Sequence, residues 1–227
     1  MCGRFVLYSS LDDIVKAFDV QHVAAQAQSQ LRPSYNVAPT QTVAVVLRPD
    51  GGNVLEEMVW GLIPFWAKER AIGSRMINAR AETLAEKPSF KRPLATQRCL
   101  VVADGFYEWR KTEEGKVPMY IRMKSGRPFG FAGLYDTWTS PEGETVRSCT
   151  IVTTDANALV RPIHDRMPVI LPKLAEAAWL DPAARPVGDL LALLRPYPAA
   201  ELEAYAVSRL VHTPDHNAPE LILPVAA

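Results

Sequence analysis

The sequence predicts a single α+β domain with bent, mostly antiparallel sheets and a few short helices. Strand-like apolar runs separated by turn residues fill its middle, and helix-like segments lie toward both ends. Strands and helices do not alternate regularly, which disfavours a parallel, doubly wound sheet. Since no repeat, low-complexity tract or linker divides the 227 residues, we assign residues 1–227 to one domain.

The first elements have strong local signals. SLDDIVKAFDV predicts a helix, because Ser10 can cap it, acidic residues occupy its first turn and its apolar side chains share one face. QTVAVVLRPDGGNVLEEMVWGLIP predicts a hairpin, because two apolar runs flank Asp50, Gly51 and Gly52.

The later elements follow from shorter patterns. The stretch from Arg98 to Trp138 predicts three short strands separated by glycine-containing turns, and RSCTIVTTDAN predicts another strand. LPKLAEAAWL and VGDLLALLR predict short helices. ELEAYAVS and ELILPV near the end predict short strand or helix segments.

Charge and hydropathy narrow the function classes. The net charge is zero, but residues 60–111 hold ten Lys and Arg against five acids, which fits either a local anion-binding face or a solvated mixed surface. No apolar run is long enough to span a membrane, and no secretory signal is evident at the start. These observations predict a cytoplasmic protein that does not contact membranes.

The cysteines and histidines predict neither a disulfide framework nor a metal site. Three widely spaced cysteines include no close pair, and the apolar settings of Cys99 and Cys149 predict small buried side chains. His212 and His216 have a metal-like spacing, but Pro214 between them breaks a helix and no third ligand is evident.

Cys2 follows the initiator Met1 directly. Methionine aminopeptidases act when the second residue is small, so removal of Met1 would give Cys2 a free α-amine beside its thiol. Such amines and thiols have ordinary pKa values of about 7.7–8.0 and about 8.5, so both reach their nucleophilic forms near neutral pH. This pair condenses with an aldehyde to form a five-membered thiazolidine. The alternative for this feature alone is a chance cysteine at a frayed terminus.

Three further segments hold polar residues suited to chemistry. In MINARAET, Asn78 and Arg80 are two apart and would point the same way on an extended strand. In ADGFYEWRK, Glu108 stands among aromatic residues, where desolvation would raise its pKa. His164 in RPIHDRMPVIL is a candidate proton shuttle. Each residue taken alone also fits an ordinary structural role.

The segment WGLIPFWAK places aromatic residues within the basic region. Stacking on unpaired bases requires aromatics interleaved with Lys and Arg. We expect Trp60 to be part of the core, while Phe65 and Trp66 fit either an exposed surface or the core.

Taken together, these segments resemble the SRAP family of proteins that crosslink to abasic sites in DNA. MCGRF, NVAPTQ, WGLIPFWAK, INARAET, RCLVVADGFYEW, TIVTTDAN and HDRMPVIL occur in the family's order over nearly the whole chain. The resemblance implies a single domain with a small barrel within a bifurcated sheet, and peripheral helices. It also implies single-stranded DNA containing an abasic site as partner, no cofactor, no metal, a monomeric state and association with the nucleoid when bound to DNA.

The resemblance implies roles for individual residues. Cys2 would be the crosslinking nucleophile, and Asn78 would hold the sugar or the amine. Glu108 would orient or deprotonate the amine and help to open the sugar ring, and His164 would move protons during Schiff-base formation and in reversal of the link. The implied DNA contacts are Arg4, Pro39, Phe65, Trp66, Arg80 and Arg166.

Two other functions fit the same residues. Cys2 with His164 could form a thiol peptidase, or an autoprocessing enzyme that cuts only its own N-terminus. The aromatics and arginines could instead form a simple single-strand-binding module.

Overall fold

A computed structural model of the protein describes residues 2–183 and 185–225. Met1, whose removal the sequence predicts, lies outside the described residues. The strands of the described chain are β1 (Phe5–Leu7), β2 (Val20–Val23), β3 (Ser34–Val37), β4 (Thr42–Leu47), β5 (Asn53–Trp60), β6 (Asn78–Arg80), β7 (Arg98–Ala103), β8 (Gly105–Thr112), β9 (Gly115–Met123), β10 (Phe129–Thr139), β11 (Thr145–Asp155), β12 (Arg166–Pro168) and β13 (Leu202–Ala206). The α-helices are α1 (Leu11–Ala17), α2 (Ala25–Gln30), α3 (Pro88–Thr96), α4 (Lys173–Leu180) and α5 (Val187–Ala192). Short 3-10 turns span Arg70–Arg75, Ala81–Thr83, Ala199–Glu201, Arg209–His212 and Pro219–Ile222.

Five strands close into a small barrel in the order β11, β10, β7, β4 and β5, with β5 pairing back to β11. Four of the five strand pairings in the barrel are antiparallel. The closing contact is parallel and pairs Cys149 with Trp60. Strands β2, β6 and β12 extend this sheet beyond the barrel. The α+β class and the small barrel are therefore confirmed.

A second sheet has the order β13, β9, β8, β1 and β3, and all its neighbours are antiparallel. Its strand β1 meets the barrel through Phe5, whose ring contacts Trp60 and Phe131 edge-on at 5.1 and 6.0 Å between ring centroids. These aromatic contacts are fully buried. The N-terminal segment therefore lies where the two sheets join.

Local sequence signals correctly predict the first helix and the first hairpin. Ser10 caps α1 in a capping box, in which its hydroxyl accepts from the backbone N–H of Asp13. Strands β4 and β5 pair in register around the predicted turn, where Gly51 has a φ of +85° that favours glycine.

The region from Arg98 to Trp138 forms four strands, β7 to β10, so the prediction of three short strands is wrong. Strand β10 alone has eleven residues. Two of its glycines mark close packing instead of turns, because a Cβ at Gly130 or Gly133 would press on the side chains of Leu100 and Cys99. Because glycine commonly marks a turn, two glycines inside β10 made one long strand resemble shorter strands separated by turns.

The helices pack around the barrel, and α4 and α5 form as the sequence predicts. The C-terminal segments become β13 and the 3-10 turn at Pro219–Ile222. Helix α3 has no counterpart in the sequence prediction. Within the described residues, no helix combines the length and apolarity needed to cross a bilayer.

Candidate active site at the junction of the two sheets

Pairing of β1 with β8 places Glu108 beside the N-terminal segment. Phe5 pairs with Phe106, and the backbone N–H of Tyr107 donates to the Arg4 carbonyl at 3.0 Å. The next residue along β8 is Glu108, which therefore runs alongside Cys2 and Gly3 in this antiparallel pair. Strand pairing, with no loop involved, thus fixes the carboxyl group close to the chain terminus.

Cys2 is buried, with 1% of its surface exposed. Its thiol lies 3.8 Å from the Arg4 carbonyl, to which it donates a weak hydrogen bond. Burial raises the pKa of the Cys2 thiol far above its ordinary range, and the negative charge of Glu108 adds to the increase. The thiol is therefore protonated near neutral pH.

Glu108 is 2% exposed, which confirms the expected desolvation. Burial raises the pKa of its carboxyl group to about 7, and the charge of Asp165 acts in the same direction. A carboxyl group with this pKa exists in both forms at neutral pH, so it can accept and donate a proton.

Asn78 reaches the same segment from the barrel side. It lies on β6, whose parallel pairing with β11 places Asn78 opposite Ile151. Its side-chain N–H donates to the Cys2 carbonyl at 2.8 Å. Its buried amide oxygen has no hydrogen-bond partner among the described residues. That oxygen can accept a hydrogen bond from a ligand at the chain terminus.

His164 lies in the loop that leads into β12, on the other side of β11. Its Nδ1 accepts the backbone N–H of Arg166 at 3.0 Å, which leaves the proton of the neutral ring on Nε2. The carboxylate of Asp165 is 2.9 Å from the same nitrogen and can replace this contact when the ring is protonated. Burial lowers the pKa of His164, while Asp165 opposes that effect.

The fold thus brings the four predicted catalytic residues to one junction. Cys2 precedes β1 and Glu108 lies on β8, both in the five-stranded sheet's region, whereas Asn78 lies on β6 and His164 precedes β12 at the barrel sheet. Asn78 contacts Cys2 directly, and Asp165 is near enough for its charge to act on both Glu108 and His164. No group of three or more metal-binding side chains occurs among the residues that the structure describes.

The residues predicted to contact DNA differ in how exposed their side chains are. Phe65 and Trp66 are 52% and 48% exposed, Arg80 is exposed and Pro39 is half-buried. Trp60 is buried in the core, as expected, and so are Cys99 and Cys149.

The two other arginines make internal contacts. Arg4 donates to the Asn36 side chain at 2.7 Å and to the Val211 carbonyl at 2.9 Å. Arg166 makes a two-pronged contact with Glu82 and also contacts Asp155, so a phosphate would have to replace one of these carboxylates. A DNA contact by either arginine stays a prediction.

Sequence reasoning did not find Asn36, Asp136 or Arg92 as residues that support the site. Asn36 and Asp136 are each 1% exposed, and both hydrogen-bond to segments that carry predicted site residues. A single polar residue within an apolar strand was the available signal, because such a residue must find a partner when buried.

Comparison with known proteins gives a consistent result. The family model described as SOS response associated peptidase (SRAP) matches residues 1–214. The chain is 49% identical over 223 residues to the abasic site processing protein YoqW of Bacillus subtilis (strain 168), which covers 98% of this chain and 99% of YoqW. It is 34% identical over 230 residues to the abasic site processing protein HMCES of Gallus gallus, which covers 87% of this chain and 68% of HMCES.

Two solved structures share the fold. A crystal structure of a protein from Bacteroides thetaiotaomicron superposes with a TM-score of 0.89 at 30% identity and covers 99% of this chain and 100% of its own. A crystal structure of a protein from Bordetella bronchiseptica has a TM-score of 0.78 at 30% identity, with coverages of 91% and 100%.

Proposed function

The chain belongs to the SRAP family, and we propose that it processes abasic sites in single-stranded DNA by forming a thiazolidine crosslink through Cys2. The observation that carries the proposal is the convergence of Asn78 and Glu108 on the segment that begins at Cys2. Removal of Met1 exposes the α-amine at this point. An abasic site supplies the aldehyde that an amine and a thiol on adjacent carbons can capture together.

The amine reacts first, because burial keeps the thiol protonated. The amine attacks the aldehyde carbon of the ring-opened sugar to give a carbinolamine, and loss of water gives an imine. Glu108, with a pKa of about 7, accepts a proton from the ammonium form and so frees the amine to attack. Asn78 holds the backbone of Cys2 and offers its amide oxygen to the sugar or to the amine.

The thiol then closes the ring. Its sulfur adds to the imine carbon as its proton passes to the nitrogen, so the overall reaction joins aldehyde and aminothiol and releases one water. His164 moves protons in imine formation and in reversal, since its neutral ring presents a donor at Nε2 and its partner Asp165 supports the protonated form. Closure removes the imine from which β-elimination would cut the strand.

DNA is held by contacts that do not read sequence. Phe65 and Trp66 are exposed enough to stack on bases beside the lesion, and Arg80 is exposed for a phosphate. Pro39, Arg4 and Arg166 are further DNA contacts in this proposal. A strand without a base at the lesion bends at small stacking cost, which suits a narrow site. The protein acts as a cytoplasmic monomer that joins the nucleoid when it binds DNA.

The experiment compares adduct formation by protein with a native N-terminus, protein with residues left ahead of Cys2, and the Cys2→Ala variant. Single-stranded DNA containing an abasic site is incubated with each protein and separated on a denaturing gel. Only the native N-terminus should give a stable adduct. Equal crosslinking by the blocked protein would contradict the aminothiol mechanism.

Two alternatives predict other outcomes of that comparison. A thiol peptidase that uses Cys2 and His164 would cleave peptides and ignore the abasic site. A simple single-strand-binding module would show reversible, salt-sensitive binding that Cys2→Ala leaves unchanged.

A further inference from the structure

The exposed ring of Phe65 lies under a guanidinium group, a contact that distinguishes it from Trp66 beside it. Phe65 lies in a tight turn in which the Ala67 N–H donates to the Pro64 carbonyl at 2.9 Å. The guanidinium of Arg92, from α3, lies over the Phe65 ring at 4.4 Å from its centroid. Among the described residues, no ring or cation contact of this kind involves Trp66, although the two side chains are about equally exposed.

A buried carboxylate contacts both the backbone of Phe65 and the side chain of Arg92. Asp136 on β10 is 1% exposed and accepts the backbone N–H of Phe65 at 3.0 Å. One of its oxygens also lies 3.6 Å from a guanidinium nitrogen of Arg92. Asp136 therefore connects the backbone of Phe65 to the cation that covers the ring, and it is held in turn by the N–H of Thr137 at 2.8 Å.

We propose that Arg92 is a positioning residue, which acts on DNA through Phe65 by holding that ring in the orientation that stacks beside the lesion. The inference rests on the proposed function, because it assumes that Phe65 contacts the strand. An exposed aromatic side chain on a turn otherwise loses rotamer freedom on binding, and fixing it beforehand removes that cost.

The size of the effect follows from the contact. A cation over an exposed ring contributes about 0.5–1 kcal/mol, which corresponds to about a two- to fivefold change in affinity. A residue that instead contacted a phosphate would add an electrostatic component and would change the salt dependence of binding by about one counterion.

The test is a pair of double-mutant cycles with a control built into the chain. Affinity is measured for single-stranded DNA carrying tetrahydrofuran, an abasic analogue without an aldehyde, for Arg92→Ala, Phe65→Leu and Trp66→Leu and for the two double variants that contain Arg92→Ala. Arg92→Ala should weaken binding about two- to fivefold in the wild type and in Trp66→Leu, but should have no further effect in Phe65→Leu.

The salt dependence of binding completes the test. The proposal expects the slope of affinity against salt to be the same for Arg92→Ala and the wild type. Additive effects of Arg92→Ala and Phe65→Leu, or a slope reduced by about one, would show a direct phosphate contact and overturn the proposal.

The outcome is separable from failure of the proposed function. Binding to an intact strand of the same length is measured in parallel, so the coupling between Arg92 and Phe65 is obtained from whichever strand binds. A wild type that binds both strands equally would argue against lesion recognition, while the coupling would still decide the role of Arg92.

Discussion

The carboxyl group of Glu108 and the thiol of Cys2 respond to the same burial with different consequences. Burial raises both pKa values, because it disfavours the charged form of an acid. For Glu108 the new pKa is about 7, so proton exchange at neutral pH becomes easy. For Cys2 the thiolate becomes rare, and for that reason the proposed mechanism has the uncovered amine react before the thiol.

Replacing Glu108 with glutamine should slow crosslinking, because the amide cannot exchange a proton near pH 7. General acid–base catalysis by a positioned side chain typically contributes 10²–10⁴-fold, so Glu108→Gln should lower the single-turnover rate by about 100-fold. The change in rate that the wild type shows around pH 7 should also be lost. Adduct formation followed over time between about pH 5.5 and 8.5 measures both effects.

The matched control is Glu113→Gln, which changes an exposed glutamate on the same β8–β9 hairpin. It should leave the rate unchanged. A Glu108→Gln rate within twofold of the wild type at every pH would remove Glu108 from proton transfer.

The same group predicts how stability depends on pH. The pKa of Glu108 rises from an ordinary 4.5 to about 7 on folding, so the native state binds more protons between these values. The contribution of Glu108 to stability is therefore full below about pH 4.5 and is lost as the pH rises to about 7, by at most about 3 kcal/mol. Urea unfolding should show the stability of the wild type falling relative to Glu108→Gln across this range, and an unchanged difference would contradict the raised pKa.

Among the elements, those with a complete local signal were predictable and those set by distant contacts were not. Ser10 and the Asp50–Gly52 turn act on their immediate neighbours, so the sequence alone identifies α1 and the first hairpin. Helix α3 was missed because its two prolines suggest a loop, whereas Pro88 lies in its first turn, where the missing N–H costs nothing. Closure of the barrel depends on the parallel pairing of Cys149 with Trp60, which no local pattern encodes.

Helices α3 and α4 both have C-terminal carbonyls that accept hydrogen bonds from the same buried side chain. Arg98 at the start of β7 is 3% exposed and donates to the Leu94 and Ala95 carbonyls of α3. It also donates to the Trp179 carbonyl at 2.7 Å and to the Asp181 carbonyl at the end of α4. These are C-terminal carbonyls that their own helices leave unpaired, and a cation there also opposes the negative ends of the helix dipoles.

Arg98→Met should therefore destabilise the fold while keeping the side chain's apolar volume. Losing a charged donor that serves several buried carbonyls costs about 3 kcal/mol, since each orphaned group carries a desolvation penalty. Urea unfolding measures this loss. Lys91→Met, at an exposed position of α3, is the control and should change stability by less than about 0.5 kcal/mol. A similar loss in both variants would show that Arg98 does not hold the helix ends.

At the level of the whole chain, the site depends on segments far apart in sequence. The motifs identified Cys2, Asn78, Glu108 and His164 as candidates, but only the junction of the two sheets explains why they meet. No pattern in the sequence predicts that the C-terminal tail, residues 211–216, accepts hydrogen bonds from residues at this junction. Such contacts arise from packing between distant segments and have no periodicity to reveal them.

Asn36 makes that connection. It is 1% exposed, accepts from Arg4 at 2.7 Å, and donates to the Thr213 and His216 carbonyls at 2.9 and 2.7 Å. Arg4 itself donates to the Val211 carbonyl. The tail is thus connected, through the side-chain amide of Asn36, to Arg4 in the segment between Cys2 and β1.

Asn36→Ala should slow crosslinking by more than its loss of stability explains. Removing the amide takes one acceptor from Arg4 and the donor from two tail carbonyls, at a cost of about 2 kcal/mol in stability. It also loosens the segment that positions Cys2, and displacement of a reacting group by about 1 Å can lower a rate by up to about 100-fold, so we expect a loss of about tenfold.

The control is Asn53→Ala, because Asn53 is 9% exposed and holds the Phe18 carbonyl at 2.6 Å on a different part of the barrel sheet. Rates are compared at a temperature where both variants are folded by circular dichroism. Equal rates for the two variants would show that the tail stabilises the fold without positioning Cys2, whereas a defect confined to Asn36→Ala would make the tail part of the site's framework.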